Sequence, residues 1–210
     1  MELISIRRAA VLLYIQLERS NPYRKAKDRE ITDLLVKRFG FLKFPKTYEE
    51  YNNAQNGATF ADGVFDGVQV TELKIFPNGI LIDTGESTDI AERLFSEELV
   101  AIWQKVGLDL SKEMVSERAY ISQLVSFSEI DLLALSAPVT TLIENWFRQK
   151  PVGVGSVGVY TNGNLEIAPP VRIERVAGQP LEAMQFWSQT PLRTPLHIEF
   201  LKAWETALKG

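Results

Sequence analysis

The chain has 210 residues, with 23 Lys and Arg against 27 Asp and Glu, one His, no Cys and 45% apolar residues. A folded chain of this length buries about 70% of its unfolded surface, so one sizeable core needs neither a disulfide nor a structural metal. The missing cysteines exclude disulfide scaffolds, thiolate zinc sites, cysteine nucleophiles and haem attachment, and the single histidine restricts any triad to His197. Residues 1 to 46 carry eleven Lys and Arg against five Asp and Glu, a balance of +6, so the other 164 residues sum to −10. That split predicts a basic face on an acidic protein.

Arg7-Arg8 precede an apolar run from Ala9 to Ile15 that ends after seven residues at Gln16, Glu18 and Arg19. No stretch approaches the ~20 apolar residues of a membrane span, so the expectation is a buried strand in a cytoplasmic protein with no membrane partner. The strand, Ala9 to Leu17, should end at Ser20-Asn21-Pro22, where proline removes a ladder donor. A helix then fits, with Asp28 as its cap, Ile31, Leu34, Leu35 and Phe39 on one stripe and Gly40 as its stop. Thr47-Tyr48-Glu49-Glu50 has capping-box spacing and opens a short helix over Tyr51.

The period then changes to two. Phe60 to Phe65, Val68 to Phe76 and Ile80 to Thr84, joined by Asp66-Gly67 and Pro77-Asn78-Gly79, read as a β-meander within 58 to 84. Ile90, Leu94, Phe95, Leu99, Ile102, Trp103 and Val106 make an amphipathic helix with acidic residues at its start and Gly107 beyond it. A second long strand follows over Arg118 to Phe127, then a capped helix from Ser136 to Phe147. Val152 to Tyr160 and Leu165 to Ile167 pair around Asn162-Gly163, and Val171 to Val176 is a further strand. Thr194 caps a last helix, with Pro195 in its first turn, that should bury Phe200, Leu201, Trp204 and Leu208.

The fold class read from these elements is α+β, a mostly antiparallel sheet with about five packed helices in a single domain over 1 to 210. The element order also allows an internal β-α-β-β-α pseudo-repeat with halves 1 to 110 and 111 to 210, first elements lying about 108 residues apart. The turns at Pro77-Asn78-Gly79 and Thr161-Asn162-Gly163 echo one another, at an offset of 84.

Four patterns could carry chemistry. Gly153-Val154-Gly155-Ser156-Val157-Gly158 spells a dinucleotide fingerprint, but a hairpin turn rather than a helix follows, so no helix dipole meets a phosphate and the segment reads as a bulged strand. Asp62 or Asp66 with Glu72-Leu73-Lys74 resembles the Asp and Glu-x-Lys pattern of metal-dependent nucleases, where carboxylates hold Mg²⁺ and the lysine positions water. With Asp66-Gly67 as a two-residue turn, Ala61 falls opposite Glu72 and Asp62 faces away from it. Leu81-Ile82-Asp83-Thr84-Gly85 resembles the active-site strand of retropepsin-like aspartic proteases, a resemblance covering Val70 to Gly85 that implies a homodimer to supply the second aspartate. The alternative for Asp83 is a polar turn, with Ser87, Thr88 and Asp89, that caps the next helix. His197, one turn before Leu201, reads as a boundary residue of a packed helix.

The aromatics Phe39, Phe41, Phe44, Tyr48 and Tyr51, interleaved with Lys37, Arg38, Lys43 and Lys46, could stack bases, but core aromatics with exposed cations are favoured. The reading adopted is therefore a non-catalytic interaction or assembly protein with no cofactor and no metal. An anionic partner would dock at Arg24, Lys25, Lys27 and Arg29, where the chain is most basic. A protein or a second copy is the favoured partner, with nucleic acid kept as a less favoured one, and Val154 and Val157, on an uncharged glycine-rich strand, mark the expected interface. The nuclease pattern, then the Asp83 hydrolase, are its alternatives.

Overall fold

Two long strands, β1 (Glu2–Ile15) and β5 (Val115–Phe127), organise the computed structural model, which describes residues 1–15, 27–51, 57–134, 155–159 and 170–209. The chain divides into two compact units, one of Arg8–Ile121 and one of Met1–Arg7 with Ser122–Gly210. Mixed α and β elements on largely antiparallel sheet bear out the α+β class.

In the Arg8–Ile121 unit, α1 (Asp28–Phe39) ends at Gly40, whose φ of 64° lets its N–H reach the Val36 carbonyl at 2.8 Å. Its cap position is Lys27 rather than Asp28, and no side chain caps it. The short α2 (Tyr48–Tyr51) has the expected box: Glu50 N–H donates to Thr47 Oγ1 at 3.2 Å and Thr47 N–H to Glu50 Oε2 at 3.3 Å. The meander follows as β2 (Ala58–Phe65), β3 (Val68–Phe76) and β4 (Gly79–Thr84). The turn sets Phe65 opposite Val68 and Ala61 opposite Glu72, as the two-residue count requires. Strand β4 then runs antiparallel to β1, Ala9 facing Thr84 and Leu13 facing Ile80, in the order β2-β3-β4-β1-β5.

This register puts Val11, Leu13, Phe60, Leu73, Ile80 and Ile82 in one buried apolar cluster with Ile31, Leu35 and Phe39 of α1. The other side of that cluster is α3, formed by Thr88–Arg93, a π-helical stretch Leu94–Leu99 and Val100–Lys105, which contributes Leu94, Phe95, Leu99 and Trp103. Its cap is Ser87, whose Oγ accepts the Asp89 N–H at 3.2 Å. Strand alternation sends Arg8, Leu12, Glu72, Lys74, Leu81 and Asp83 to the opposite face of the sheet.

The Ser122–Gly210 unit holds β6 (Ser156–Val159), β7 (Val171–Arg175), β8 (Gln185–Thr190) and α4 (Thr194–Lys209), with strand order β1-β5-β8-β7-β6. Strand β8, opposite β5 from Ser122↔Thr190 to Phe127↔Gln185, is one the sequence pattern hides. Its inward positions are Phe186, Ser188 and Thr190, and two polar residues on the buried face erase the apolar alternation. In α4 the buried stripe is Thr194, His197, Leu201 and Glu205, whereas Leu208 is 40% exposed and Phe200 and Trp204 are half-buried. Among the described residues there are four helices rather than about five. The helix expected over Ser136 to Phe147 and the turn at Asn162-Gly163 lie outside the described residues. No described helix is long and apolar enough to cross a membrane.

Gly79 opens β4 beside β1, where a Cβ would fall 2.7 Å from the Leu13 carbonyl oxygen. Backbone cannot yield as a side-chain tip does, so Gly79→Ala should lower stability by about 1–3 kcal/mol. Gly85, which has open space around it, serves as the control: Gly85→Ala should leave the urea midpoint nearly unchanged.

Candidate functional site

Three of the residues singled out for chemistry meet on the face of the Arg8–Ile121 sheet turned away from the apolar cluster. Glu72 on β3 stands directly opposite Asp83 on β4, and Asp83 opposite Ala10 on β1. Arg8 Nε lies 2.7 Å from Asp83 Oδ2, and Lys74 Nζ 2.8 Å from Glu72 Oε1. The result is a row of four charges, Arg8, Asp83, Glu72 and Lys74, in which two neighbouring carboxylates lie between two cations. Asp83 is 7% exposed, and burial pushes its carboxyl above the usual range despite Arg8 and the Ala9 N–H, with Glu72 adding to the rise.

Asp83 therefore does not belong to the polar capping turn. Ser87 caps α3, Thr84 Oγ1 donates to the Ser87 carbonyl at 2.9 Å, and Asp83 faces the other way because it follows Ile82 in an alternating strand. The cross-strand acid beside Glu72 is Asp83, supplied by β4, rather than Asp62 or Asp66. Asp62 sits at φ 59° in the irregular part of β2 and pairs with Lys43 at 3.0 Å. Asp66, in the turn at φ 50°, pairs with Arg93 at 2.8 Å. A divalent ion on Glu72 and Asp83 would have to displace both Lys74 and Arg8, and no group of three or more metal-ligating side chains occurs among the described residues.

Of the four cations assigned to an anionic partner, Arg24 and Lys25 lie outside the described residues. Lys27 is tied to Glu30 at 2.7 Å, and Arg29 is exposed. Arg29 also borders a cleft of about 670 Å³ between α1, residues 44–47 and α2, which sequence reasoning did not anticipate because its walls come together only when α2 packs beside α1. Phe39 and Phe41 are core residues as expected, but Phe44 and Tyr51 are only partly buried and line this cleft.

The second unit buries polar groups instead of presenting them. His197 is fully buried, not a boundary residue, with Nδ1 2.9 Å from Ser122 Oγ. Burial lowers its pKa to about 4, and Nε2 has no partner among the described residues. Next along the stripe, Glu205 accepts from the Met1 ammonium and from Ser128 Oγ, both at 2.7 Å. Ser122 and His197 have the spacing of a nucleophile and base, but with both at 0% exposure the pair is a packing contact out of a substrate's reach. Their proximity had no sequence signal, since they are 75 positions apart on elements whose pairing runs through the unrecognised β8.

At the edge of this unit, β6 pairs on one side with β7, Val157 facing Ile173 and Val159 facing Val171. The chain's own Val171–Arg175 thus covers one edge of the glycine-rich strand, and no described strand pairs with the other. Val157 is half-buried, Ser156, Gly158 and Val159 are exposed, and Gly153 and Val154 lie outside the described residues. Comparison with known protein families and with curated proteins finds no match for this chain.

The buried imidazole makes stability depend on pH. Its folded pKa of about 4 lies below the ordinary His value, so the unfolded chain binds the extra proton first, and stability falls as pH drops from the unfolded value toward 4. The loss should approach about 3 kcal/mol, and His197→Gln should flatten it in urea titrations between neutral and acid pH. With one His in the chain, NMR of its ring protons should show no titration near pH 6.5.

The Arg8–Asp83 pair should respond asymmetrically. Arg8→Met leaves a buried carboxylate facing Glu72 and should cost about 1–3 kcal/mol at neutral pH. Asp83→Asn removes the buried charge and should change stability by less than about 1 kcal/mol, since Arg8 is partly exposed and can turn to water. Because burial raises the folded carboxyl, the proton binds the folded state first, so the Arg8→Met deficit should shrink as pH falls. The double variant should recover most of the loss in denaturant melts.

Proposed function

We propose that this chain is a non-catalytic interaction and assembly protein, which joins a second copy or another protein through the outer edge of β6. The observation that carries the reading is the difference between its two edge strands. On β2 the outer edge is occupied: Ala61 exchanges backbone hydrogen bonds with Lys43, and the positive φ of Asp62 bends the strand. On β6 the outer edge carries no such guard among the described residues, and no charged residue occurs between Pro151 and Tyr160. Uncharged, unpaired strand edges are templates for pairing with another strand.

Element order supports the comparison. Each unit has a long strand, three further strands whose last runs antiparallel to the long one, and a helix entered four residues beyond a buried Thr, Thr84 before Thr88 and Thr190 before Thr194. Read as two copies of one plan, the units make β2 and β6 counterparts. The basic segment supports a further contact, with an acidic protein surface, since Arg29 is exposed and makes no ion pair among the described residues.

Sedimentation tests the edge directly. Wild-type protein should sediment as a dimer, and Val159→Lys, at a position 44% exposed, should give a monomer with an unchanged circular dichroism spectrum. Val157→Lys, whose side chain shares a face with the buried Ile173, should reduce stability as well. A wild type that is monomeric at its highest soluble concentration and captures no acidic protein would overturn the reading.

A further inference from the structure

We propose that the cleft between α1 and α2 is a binding site for a small organic cation, an alkylammonium head carried on an apolar body. This goes beyond the strand-edge reading and rests on different residues. The cleft encloses about 670 Å³, within the range that holds a small ligand. Its inner wall is apolar and aromatic: Pro45 is buried, and Phe44 and Tyr51 are partly buried. Asp28 enters the same space from the first turn of α1. It is half-buried and has no cationic partner among the described residues, although Lys27 and Glu30 beside it pair with each other.

A carboxylate in a cleft with aromatic side chains on its lining can attract a cation in two ways, through its own charge and through the electron-rich faces of the rings. The chain already shows that the wall accepts such a group. Lys46 Nζ lies 5.8 Å from the centroid of the Phe44 ring, an ammonium held over an aromatic face at the mouth of the cleft. Lys46 is exposed, so it can leave this position at little cost. Burial also raises the Asp28 carboxyl, and Asp28 in turn helps keep the Tyr51 phenol neutral. An entering cation would relieve the unpaired carboxylate while Tyr51 remained an uncharged wall. Arg29, also on the lining, is exposed at the mouth, where an anionic group on the same ligand would meet it.

Choline and its neutral isostere 3,3-dimethyl-1-butanol separate charge recognition from simple filling of the cleft. In NMR titrations of the full chain, choline should shift the ring protons of Tyr51 and Phe44 saturably, and the alcohol should bind at least tenfold more weakly. Asp28→Asn should weaken choline at least tenfold. Lys46→Met, which removes the competing ammonium, should strengthen it severalfold. Equal binding of choline and the alcohol would overturn the proposal, as would saturable binding of inorganic phosphate in place of choline, or no shift with either. Because the isostere comparison uses wild-type protein, it decides the matter even if Asp28→Asn fails to fold.

Discussion

The pairing of β4 with β1 is the constraint on which the Arg8–Ile121 unit depends. Once Leu13 faces Ile80 and Val11 faces Ile82, every residue between Ala9 and Ile15 and between Gly79 and Thr84 is assigned a face, because side chains alternate with period two. The assignment turns Val11, Leu13, Ile80 and Ile82 toward α1 and α3, and sends Asp83 away from them. A shift of one residue would place Asp83 and Leu81 in the apolar cluster and Ile82 outside it. Burying an unpaired carboxylate among aliphatic side chains costs several kcal/mol, so the register is enforced by charge as well as by the apolar surface it hides.

That constraint explains both what could be read from the sequence and what could not. Local features were legible: the Asp66-Gly67 turn predicts the β2–β3 register down to Ala61 opposite Glu72, Gly40 marks the end of α1, and Thr47 and Glu50 cap α2. Each depends on residues within a few positions of one another. The contact between Arg8 and Asp83 spans 75 positions and exists only because β4 returns beside β1, so nothing in either segment alone announces it. The Asp and Glu-x-Lys pattern falls within the β2–β3 hairpin in the sequence, but the acid that faces Glu72 comes from the other neighbour of β3. Strand β8 escaped for a different reason: Ser188 and Thr190 occupy inward positions, and buried hydroxyls look like surface residues to any reading based on hydrophobic period.

The two units treat polar groups in opposite ways. In the first, charges lie on the sheet face away from the apolar cluster, where Arg8 and Lys74 neutralise Asp83 and Glu72. In the second, the helix stripe that meets the sheet contains His197, whose Nδ1 meets Ser122, and Glu205, which accepts from Ser128 and the Met1 ammonium. Such a stripe contributes less transfer free energy than an all-aliphatic one, since each polar atom forgoes hydrogen bonds to water and gains only a modest net return. It does restrict the packing of α4, because a rotation or slip of one residue would strand His197 or Glu205 without a partner. That restriction substitutes geometric specificity for part of the apolar burial.

The same distinction between closed and open hydrogen-bonding capacity connects the core to the proposed function. Inside the units, backbone groups of central strands find partners across a ladder, and charges such as Asp83, Glu72 and Glu205 find partners of opposite sign. At β2, Lys43 and the bend at Asp62 extend this closure to the outermost strand. At β6, the last strand in the order among the described residues, the strand is built from Ser, Val and Gly, with neither a charge nor a proline from Ser156 to Val159 to discourage pairing. A strand of that composition gains little from side-chain packing, so much of what it can gain lies in its backbone hydrogen bonds. Partner recognition by this edge would therefore be set by strand geometry and by steric access, and would be more sensitive to a bulky charge placed on the edge than to the identity of the apolar side chains there.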